Sequence, residues 1–372
     1  MVKAPSRLNE TPEVLWKGKD IAVVYKPPQW ICETTKNSPN PWSSFDALRA
    51  SRKTGQRRME MHWWLELEFP RHAGIFRSTA DDHGLCHRLD RETIGALLVA
   101  LSVEALRRMK GHIRDHSVHK AYLCLANGIV KHATVSMPLQ PGGNKHGQTV
   151  PSNEGKSATT DVQPLAQLAR GGSDYTLCRC EIYEGRTHQI RAHMTYRLHA
   201  PLVADDLYPQ RVSQHANHDF CNRLFLHAYA LAFPYEDRWM CVVCPLAMDL
   251  RAALGQLSFR SINSARVWTS LKNEGVLNAD DETSVAPSEM ALGALAHFQW
   301  KLSMRRMKKV PKSLHLLLPL SPLLRSTPEA IAELRPVAHG TDRPWSPILK
   351  KRPASGTDRS EPPPPPKRVR TN

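Results

Sequence analysis

The sequence of 372 residues is poor in cysteine, lacks long apolar runs and has no apolar segment at its N-terminus. Eight cysteines are too few for the disulfide scaffold of a secreted domain. The most apolar C-terminal stretch, residues 316–324, is interrupted by Pro319 and Pro322, whereas a membrane-spanning helix needs about 20 apolar residues. Residues 1–10 lack the core of a secretory signal but leave a short transit peptide open. We therefore expect an intracellular protein in a reducing compartment, without a membrane segment.

Acidic side chains are also scarce, because 35 Asp and Glu stand against 51 Lys and Arg, for a formal net charge of +16. A chain this basic attracts the phosphate backbone of nucleic acids, although a basic surface without any nucleic-acid role has the same composition. The sequence has no glycine-rich phosphate loop and no nucleophile elbow. These absences argue against a nucleotide-hydrolysing enzyme and against an esterase.

Composition divides the chain into four parts, which are an N-terminal arm at 1–13, a core at 14–260, a partly helical extension at 261–330 and a basic, proline-rich tail at 331–372. In the extension, residues 291–309 are the best helical candidate. Five consecutive prolines at 362–366 predict a disordered or polyproline tail. The basic clusters at 350–353 and 367–370 look like nuclear-import signals or RNA-contacting segments, which weakly suggests a nuclear location.

Apolar patterns in the core region predict strands and helices in irregular order. The strand candidates are residues 21–25, 97–101, 119–126, 175–183 and 240–244. Ser102 is the expected N-cap of a helix in which Val103, Leu106 and Met109 have helical spacing. Because no βαβ unit repeats, the pattern predicts an α+β fold with helices flanking a mixed, mainly antiparallel sheet.

Two short clusters carry candidate chemistry. Residues 87–95, HRLDRETIG, place Asp90 between arginines just before an apolar strand, so this carboxylate should be ionised. Taken alone, such a run is typical of a solvated salt-bridge loop. Residues 184–193, EGRTHQIRAH, are dense in donors to phosphates and base edges and follow a predicted strand. Taken alone, this second cluster predicts only the basic start of a helix.

Together the clusters resemble the motifs of RluA-family RNA pseudouridine synthases. Thr93 and Gly95 follow the HRLD run as in that family, and five further blocks stand in the family's order, at residues 26–28, 120–128, 185–193, 201–208 and 223–233. Ile94 replaces the usual small hydroxylated residue, and Ala204 and Pro209 replace glycines, so we expect loops near the site to differ in shape. We also expect the small N-terminal RNA-binding module of many relatives to be missing, with the basic tail supplying affinity.

The resemblance implies a pseudouridine synthase fold with an RNA-binding cleft, and isomerisation of uridine to pseudouridine in rRNA or tRNA. It makes Asp90 the nucleophile or base and Arg191 its charged partner, with Tyr122 stacked on the detached uracil. It implies RNA-binding residues at Arg88, which would fill the space left by the flipped base, and at Arg186, His188, Gln189 and Leu226, the last as a wall of the pocket. No cofactor and no metal are implied, and we expect a monomer.

Two alternatives stay open on the sequence. The first is a catalytically inactive RNA-binding protein of the same fold, although Asp90, Tyr122 and Arg191 are all present. The second is a zinc site that pools Cys178 and Cys180 with the pair at 241–244. Both cysteine pairs lie in apolar, strand-like runs rather than in turns, which favours buried structural thiols.

Overall fold

The computed structural model describes residues 11–32, 40–42, 44–47, 59–142, 147–208 and 217–273. All of them fall within one compact unit, Met1–Leu318. The predicted helix at 291–309 and the predicted proline-rich tail lie outside the described residues. In the described part of the chain, no helix is both long enough and apolar enough to cross a membrane.

Among the described residues, ten strands form one sheet. They are β1 (Glu13–Lys17), β2 (Ile21–Lys26), β5 (Ile94–Ala100), β6 (His119–Asn127), β7 (Ala133–Ser136), β10 (Thr159–Arg170), β11 (Ser173–Ile182), β12 (Leu226–Tyr235), β13 (Arg238–Val243) and β14 (Ser258–Phe259). The order is β1-β2-β5-β12-β6-β11-β10-β14, with β13 beside β12 and β7 beside β10. Two short pairs complete the set, formed by β3 (Trp30–Ile31) with β4 (Met59–Glu60) and by β8 (Leu139–Gln140) with β9 (Val150–Pro151).

The α-helices described along their whole length are α1 (Met61–Glu68), α2 (Ala73–Arg77), α3 (Val103–Arg114), α4 (Gln189–Ala192), α5 (Met248–Leu254) and α6 (Ile262–Asn273). Short 3-10 helices lie at Pro70–His72 and Asp82–Gly84. A π-helical turn, His193–Arg197, continues α4. Helix α3 begins as predicted, because the Ser102 hydroxyl accepts a hydrogen bond from the Ala105 N–H at 3.2 Å. In α6, Val267 and Leu271 are buried in the same core as the sheet.

The centre of the sheet explains the apolar runs in the sequence. Strands β2 and β5 are buried along their whole length, which is why each is a nearly continuous apolar segment rather than an alternating one. Within the ten-stranded sheet, β5 pairs parallel with β12 and the other pairs are antiparallel. The predicted α+β fold with a mixed, mainly antiparallel sheet is thus confirmed, whereas the predicted domain limits stay a prediction.

Gly95 makes the parallel contact possible. It has a φ of +119°, and a Cβ atom at this position would lie 2.2 Å from the carbonyl oxygen of Ala228 on β12. A side chain is therefore excluded both by the backbone conformation and by the close approach of the neighbouring strand. This approach sets the start of β5, and hence the loop that carries Asp90, directly against the centre of the sheet.

Candidate active site

Two adjacent cavities meet at the loop that precedes β5. The outer cavity has a volume of about 620 Å³ and the inner cavity about 310 Å³. The residues that line both cavities are Arg88, Leu89, Asp90, Thr187, His188 and Arg191. Asp90 therefore lies on the wall between the two spaces, at the junction of the two sequence clusters.

Lys26, at the end of β2, holds the Asp90 loop from behind. Its buried ammonium donates to three carbonyl oxygens, at 3.0 Å on Pro27, 3.2 Å on Arg91 and 2.7 Å on Thr93. Burial lowers the pKa of Lys26 to about 8. Because two of these carbonyls belong to residues just after Asp90, the lysine fixes the backbone that carries the carboxylate.

Arg191, in α4, faces Asp90 with one part of its guanidinium. Its Nη1 lies 3.9 Å from Oδ2 of Asp90 and 3.3 Å from Oε2 of Glu92. The other side of the guanidinium forms a two-bond ion pair with Asp205, at 2.9 Å from Nε and 2.7 Å from Nη2. The predicted partnership with Asp90 is present as a longer contact, while the shortest contacts of Arg191 go to Asp205.

Asp205 is the site residue that the sequence motifs left without a role. Burial by itself lowers the pKa of Arg191, but the hydrogen bonds and charge of Asp205 outweigh burial and raise it. The guanidinium therefore stays charged and keeps a fixed orientation toward Asp90. The sequence does show an acidic residue inside the block 201–208, but it does not show that the partner of this residue is Arg191, because that contact depends on the position of α4.

Tyr122 and Leu226 form a wall of the inner cavity from neighbouring strands. Tyr122 lies on β6 and Leu226 begins β12, and both are buried. Burial, reinforced by the negative charge of Asp90, raises the pKa of Tyr122 well above its usual value. The phenol is therefore neutral, and its ring and the leucine side chain offer apolar surface beside the carboxylate.

His87, the first residue of the HRLD run, is a structural acceptor. Its Nε2 accepts a hydrogen bond from the Leu98 N–H of β5 at 3.0 Å. Burial lowers the pKa of His87 to about 3, so the imidazole is neutral at physiological pH. This bond attaches the run to the strand that follows it.

Two of the predicted RNA-binding arginines lie beside the cavities. Arg88 borders both, and its guanidinium donates to the Thr187 hydroxyl at 2.6 Å, which links the two clusters. Arg186 borders the inner cavity and donates from Nε to the Ser157 carbonyl oxygen at 2.9 Å. Both contacts involve exposed groups, so these arginines are placed at the surface where a polyanion would approach.

His188 and Gln189 have different surroundings. His188 adopts a left-handed conformation with a φ of 52°, and its Nδ1 lies 3.4 Å from the Tyr208 hydroxyl. Gln189 is buried, and its amide nitrogen donates to Thr159 and Thr160 of β10 at 2.9 and 3.1 Å. Although Gln189 borders the inner cavity, its amide is committed to β10, so a direct contact with RNA would have to compete with these bonds.

The cysteines do not assemble a metal site in the part of the chain that the structure describes. All eight are free thiols, and no group of three or more metal-ligating side chains converges there. Cys178 and Cys180 are buried on β11, where Cys180 lies 3.6 Å from Cys124 of β6, sulfur to sulfur. These thiols belong to the core of the sheet, as the apolar character of the run indicated.

The fold is that of pseudouridylate synthases. A solved human structure, RNA Pseudouridylate Synthase Domain Containing 1, matches the chain with a TM-score of 0.50 at 22% sequence identity, and the match covers 70% of this chain and 95% of that one. At this level of identity the likeness establishes the fold alone.

Sequence comparison makes the assignment more specific. Residues 20–196, just under half of the chain, match the family model for RNA pseudouridylate synthase. Ribosomal large subunit pseudouridine synthase C of Escherichia coli O6:H1 is 37% identical over 184 residues, which cover 46% of this chain and 56% of the relative. An uncharacterized RNA pseudouridine synthase of Chloroflexus aurantiacus is 33% identical over 183 residues, which cover 48% and 54%. The chain thus spans about half the length of these relatives.

Proposed function

We propose that this protein isomerises uridine within RNA to pseudouridine, with Asp90 acting on the ribose of a flipped-out nucleotide. The observation that carries the proposal is the position of Asp90 on the wall between the two cavities, opposite a charged Arg191 and beside the Tyr122 ring. A carboxylate, a fixed guanidinium and an aromatic wall are the groups that detaching and re-attaching a pyrimidine requires.

The two cavities would bind different parts of the RNA. Removing a base from its stack costs about a few kcal/mol, and a pocket that receives the base offsets this cost. The inner cavity, walled by Tyr122 and Leu226, would take the uracil. The outer cavity and the surface arginines, Arg88 and Arg186, would hold the phosphate backbone on either side of the target nucleotide.

The chemical step uses Asp90 in one of two ways. It either attacks C1′ or removes a ribose proton, and in both cases the C1′–N1 bond breaks and the uracil leaves with the bonding electrons. The base then rotates, and its C5 atom bonds to C1′; in the first route this breaks the bond between Asp90 and C1′, and in the second the proton held by Asp90 returns to the ribose. C5 finally loses its proton and N1 takes one up, which completes the pseudouridine. The Arg191 guanidinium keeps the Asp90 carboxylate oriented while the charges change.

Partners and substrate follow from the chemistry and from the relatives. The matched Escherichia coli protein is named for the large ribosomal subunit, so ribosomal RNA is the first substrate to test, with tRNA as the second. The reaction is redox-neutral and uracil is its own leaving group, so the proposal requires no cofactor or metal. One chain carries every group that it uses, and we propose that the protein acts as a monomer.

The test is release of tritium from RNA labelled at uridine C5, because C5 loses its hydrogen only if isomerisation is completed. We expect release by the wild type and none by Asp90→Ala, with RNA binding retained by both. Asp174→Ala, which removes an exposed carboxylate paired with Arg260, is the matched control and should release tritium like the wild type. A folded wild type that binds RNA but releases no tritium from rRNA or tRNA would instead indicate an inactive RNA-binding protein of this fold.

A further inference from the structure

Among the described residues two lysines are buried, and their ammonium groups differ in how many hydrogen bonds they donate. Lys26 is fully buried, and its ammonium donates to three carbonyl oxygens. Lys120 is 3% exposed, yet among the described residues its ammonium has one hydrogen bond, to the Tyr183 carbonyl oxygen at a long 3.4 Å. An ammonium carries three donors, and a buried polar group usually satisfies its hydrogen-bonding capacity. Lys120 therefore retains donor capacity that the described residues do not use.

The unused donors lie beside the inner cavity. Lys120 lines this cavity together with Tyr122, two residues further along β6. The nitrogen also lies near Gly185, since a Cβ atom there would be 3.9 Å from it. The ammonium thus lies where the turn after β11 lines the inner cavity. Asp90, in the loop before β5, lines the same cavity.

The Lys120 ammonium is charged and shielded from water, so it can donate hydrogen bonds to an anion in the cavity. Burial lowers the pKa of Lys120 to about 8, while the nearby charge of Glu184 opposes that effect. The group is therefore mostly protonated at neutral pH. Because few water molecules reach it, a hydrogen bond from it to an anion would be stronger than the same bond at the protein surface.

The proposed reaction creates an anion in this cavity. When the C1′–N1 bond breaks, its electron pair leaves with the uracil, and the negative charge spreads from N1 onto the carbonyl oxygens O2 and O4. We propose that Lys120 is a further catalytic residue, which stabilises the departing uracil anion by donating hydrogen bonds to a carbonyl oxygen of the base.

This inference rests on the proposed function and assigns the charge stabilisation that Asp90, Arg191 and Tyr122 leave unfilled. Lys120 itself transfers no proton, because the negative charge returns to the Asp90 carboxylate when C5 bonds to C1′, either as that bond displaces Asp90 from C1′ or as Asp90 gives its proton back to the ribose. Loss of the C5 proton and uptake of a proton at N1 then complete the neutral product. The route by which Asp90 acts does not matter, since the electron pair goes to the uracil in both routes.

The first test compares variants under single-turnover conditions, by measuring the rate of pseudouridine formation. Lys120→Met, which keeps the length and removes the charge, should slow the reaction on the order of 100-fold, the usual effect of removing one donor to a developing anion. Lys120→Arg should recover part of this rate. RNA affinity should be unchanged, because the anion exists only during the reaction. Lys110→Met, at a partly exposed lysine paired with Asp82, is the control and should match the wild type.

The second test changes the leaving group instead of the protein. A 5-fluorouracil anion is more stable than a uracil anion, so it needs less help from the enzyme. For each RNA, we measure how fast the original nucleoside disappears with the wild type and with Lys120→Met. Lys120→Met should therefore slow this loss less with 5-fluorouridine RNA than with uridine RNA. Nucleoside analysis of digested RNA measures this loss even though the fluorine blocks the final proton release.

The outcomes separate this inference from the proposed function. Tritium release by the wild type supports the function whether or not Lys120 matters. A folded Lys120→Met with wild-type rates, or with the same fold loss on both substrates, would overturn the role of Lys120. Methionine has a volume close to that of lysine and adds no polar group to the buried site. If Lys120→Met nevertheless fails to fold, Lys120→Gln provides the neutral variant for the same comparison.

Discussion

Replacing Asp205 by asparagine should separate the stability of the site from its catalytic geometry. The Arg191–Asp205 pair is buried, with side-chain exposures of 3% and 0%. Removing one partner of such a pair destabilises a protein by about 3–5 kcal/mol, because the other charge is left without compensation. Arg191 keeps its contact with Glu92, so we expect the lower end, about 3 kcal/mol. For a domain of this size that corresponds to a melting temperature lower by about 6–12 °C.

The asparagine variant removes the ion pair and keeps the hydrogen bonds to the local backbone. Oδ1 of Asp205 also accepts from the N–H groups of Leu207 and Tyr208, both at 3.1 Å, and an amide oxygen can accept them equally. The matched control is Asp249→Asn, since Asp249 forms the same two-bond pair with Arg223, at 2.6 and 2.8 Å, but at the surface. An exposed pair contributes about 1 kcal/mol or less, so this control should melt close to the wild type.

Thermal unfolding and tritium release are the two assays for Asp205→Asn. Besides the lower melting temperature, we expect a rate lower by about 100-fold below that temperature, because a displaced guanidinium no longer orients Asp90. Adding Arg191→Met should restore part of the stability but none of the activity, since the uncompensated charge is then gone. A melting temperature no lower than that of Asp249→Asn would refute the assignment of Asp205 as the anchor of Arg191.

Two further predictions concern stability. Burial lowers the pKa of His227 to about 4, although the hydrogen bond from its Nε2 to the Cys244 carbonyl oxygen opposes that shift, and its Nδ1 is buried without a partner among the described residues. Below about pH 6.5 the unfolded state takes up the proton first, so stability should fall from pH 6.5 toward 4, and His227→Gln should flatten that decline in pH-dependent melting. Gly95→Ala should prevent folding, as judged by circular dichroism, because of the clash with Ala228. Gly74→Ala, which meets no atom within 4 Å in a helix, should be neutral or slightly stabilising, and similar outcomes for the two glycines would contradict this account.

The sequence predicted the elements whose causes are local. The cap at Ser102 and the strand that carries Tyr122 depend on residues within a few positions of each other, and both are present in the structure. The placement of Asp90, Tyr122 and Arg191 around adjoining cavities followed from motif order, although their chemical roles stay predictions.

The sequence could not predict the hydrogen-bond partners of several site residues. These partners depend on the direction of each side chain, which a change in backbone conformation alters. The sequence predicts Gln189 as an RNA contact. In the structure Gln189 follows the left-handed residue His188 at the start of α4, and its amide nitrogen donates to β10. The anchoring of Arg191 by Asp205 and the unused donors of Lys120 also arise only when separate segments meet. Polar residues in a motif indicate a site, but the partners of each one are set by tertiary packing.

The position of β12 decides how much chain is needed to build the cleft. The family match ends at residue 196, yet β12 starts at Leu226 and lies between β5 and β6, in the middle of the sheet. A fragment cut at the end of the match would separate the strand behind Asp90 from the strand that bears Tyr122, leaving two unpaired edges in the core. Because strands so distant in sequence must meet before the cleft exists, we expect this domain to fold slowly. Expression of this domain should therefore include the chain at least through Tyr235.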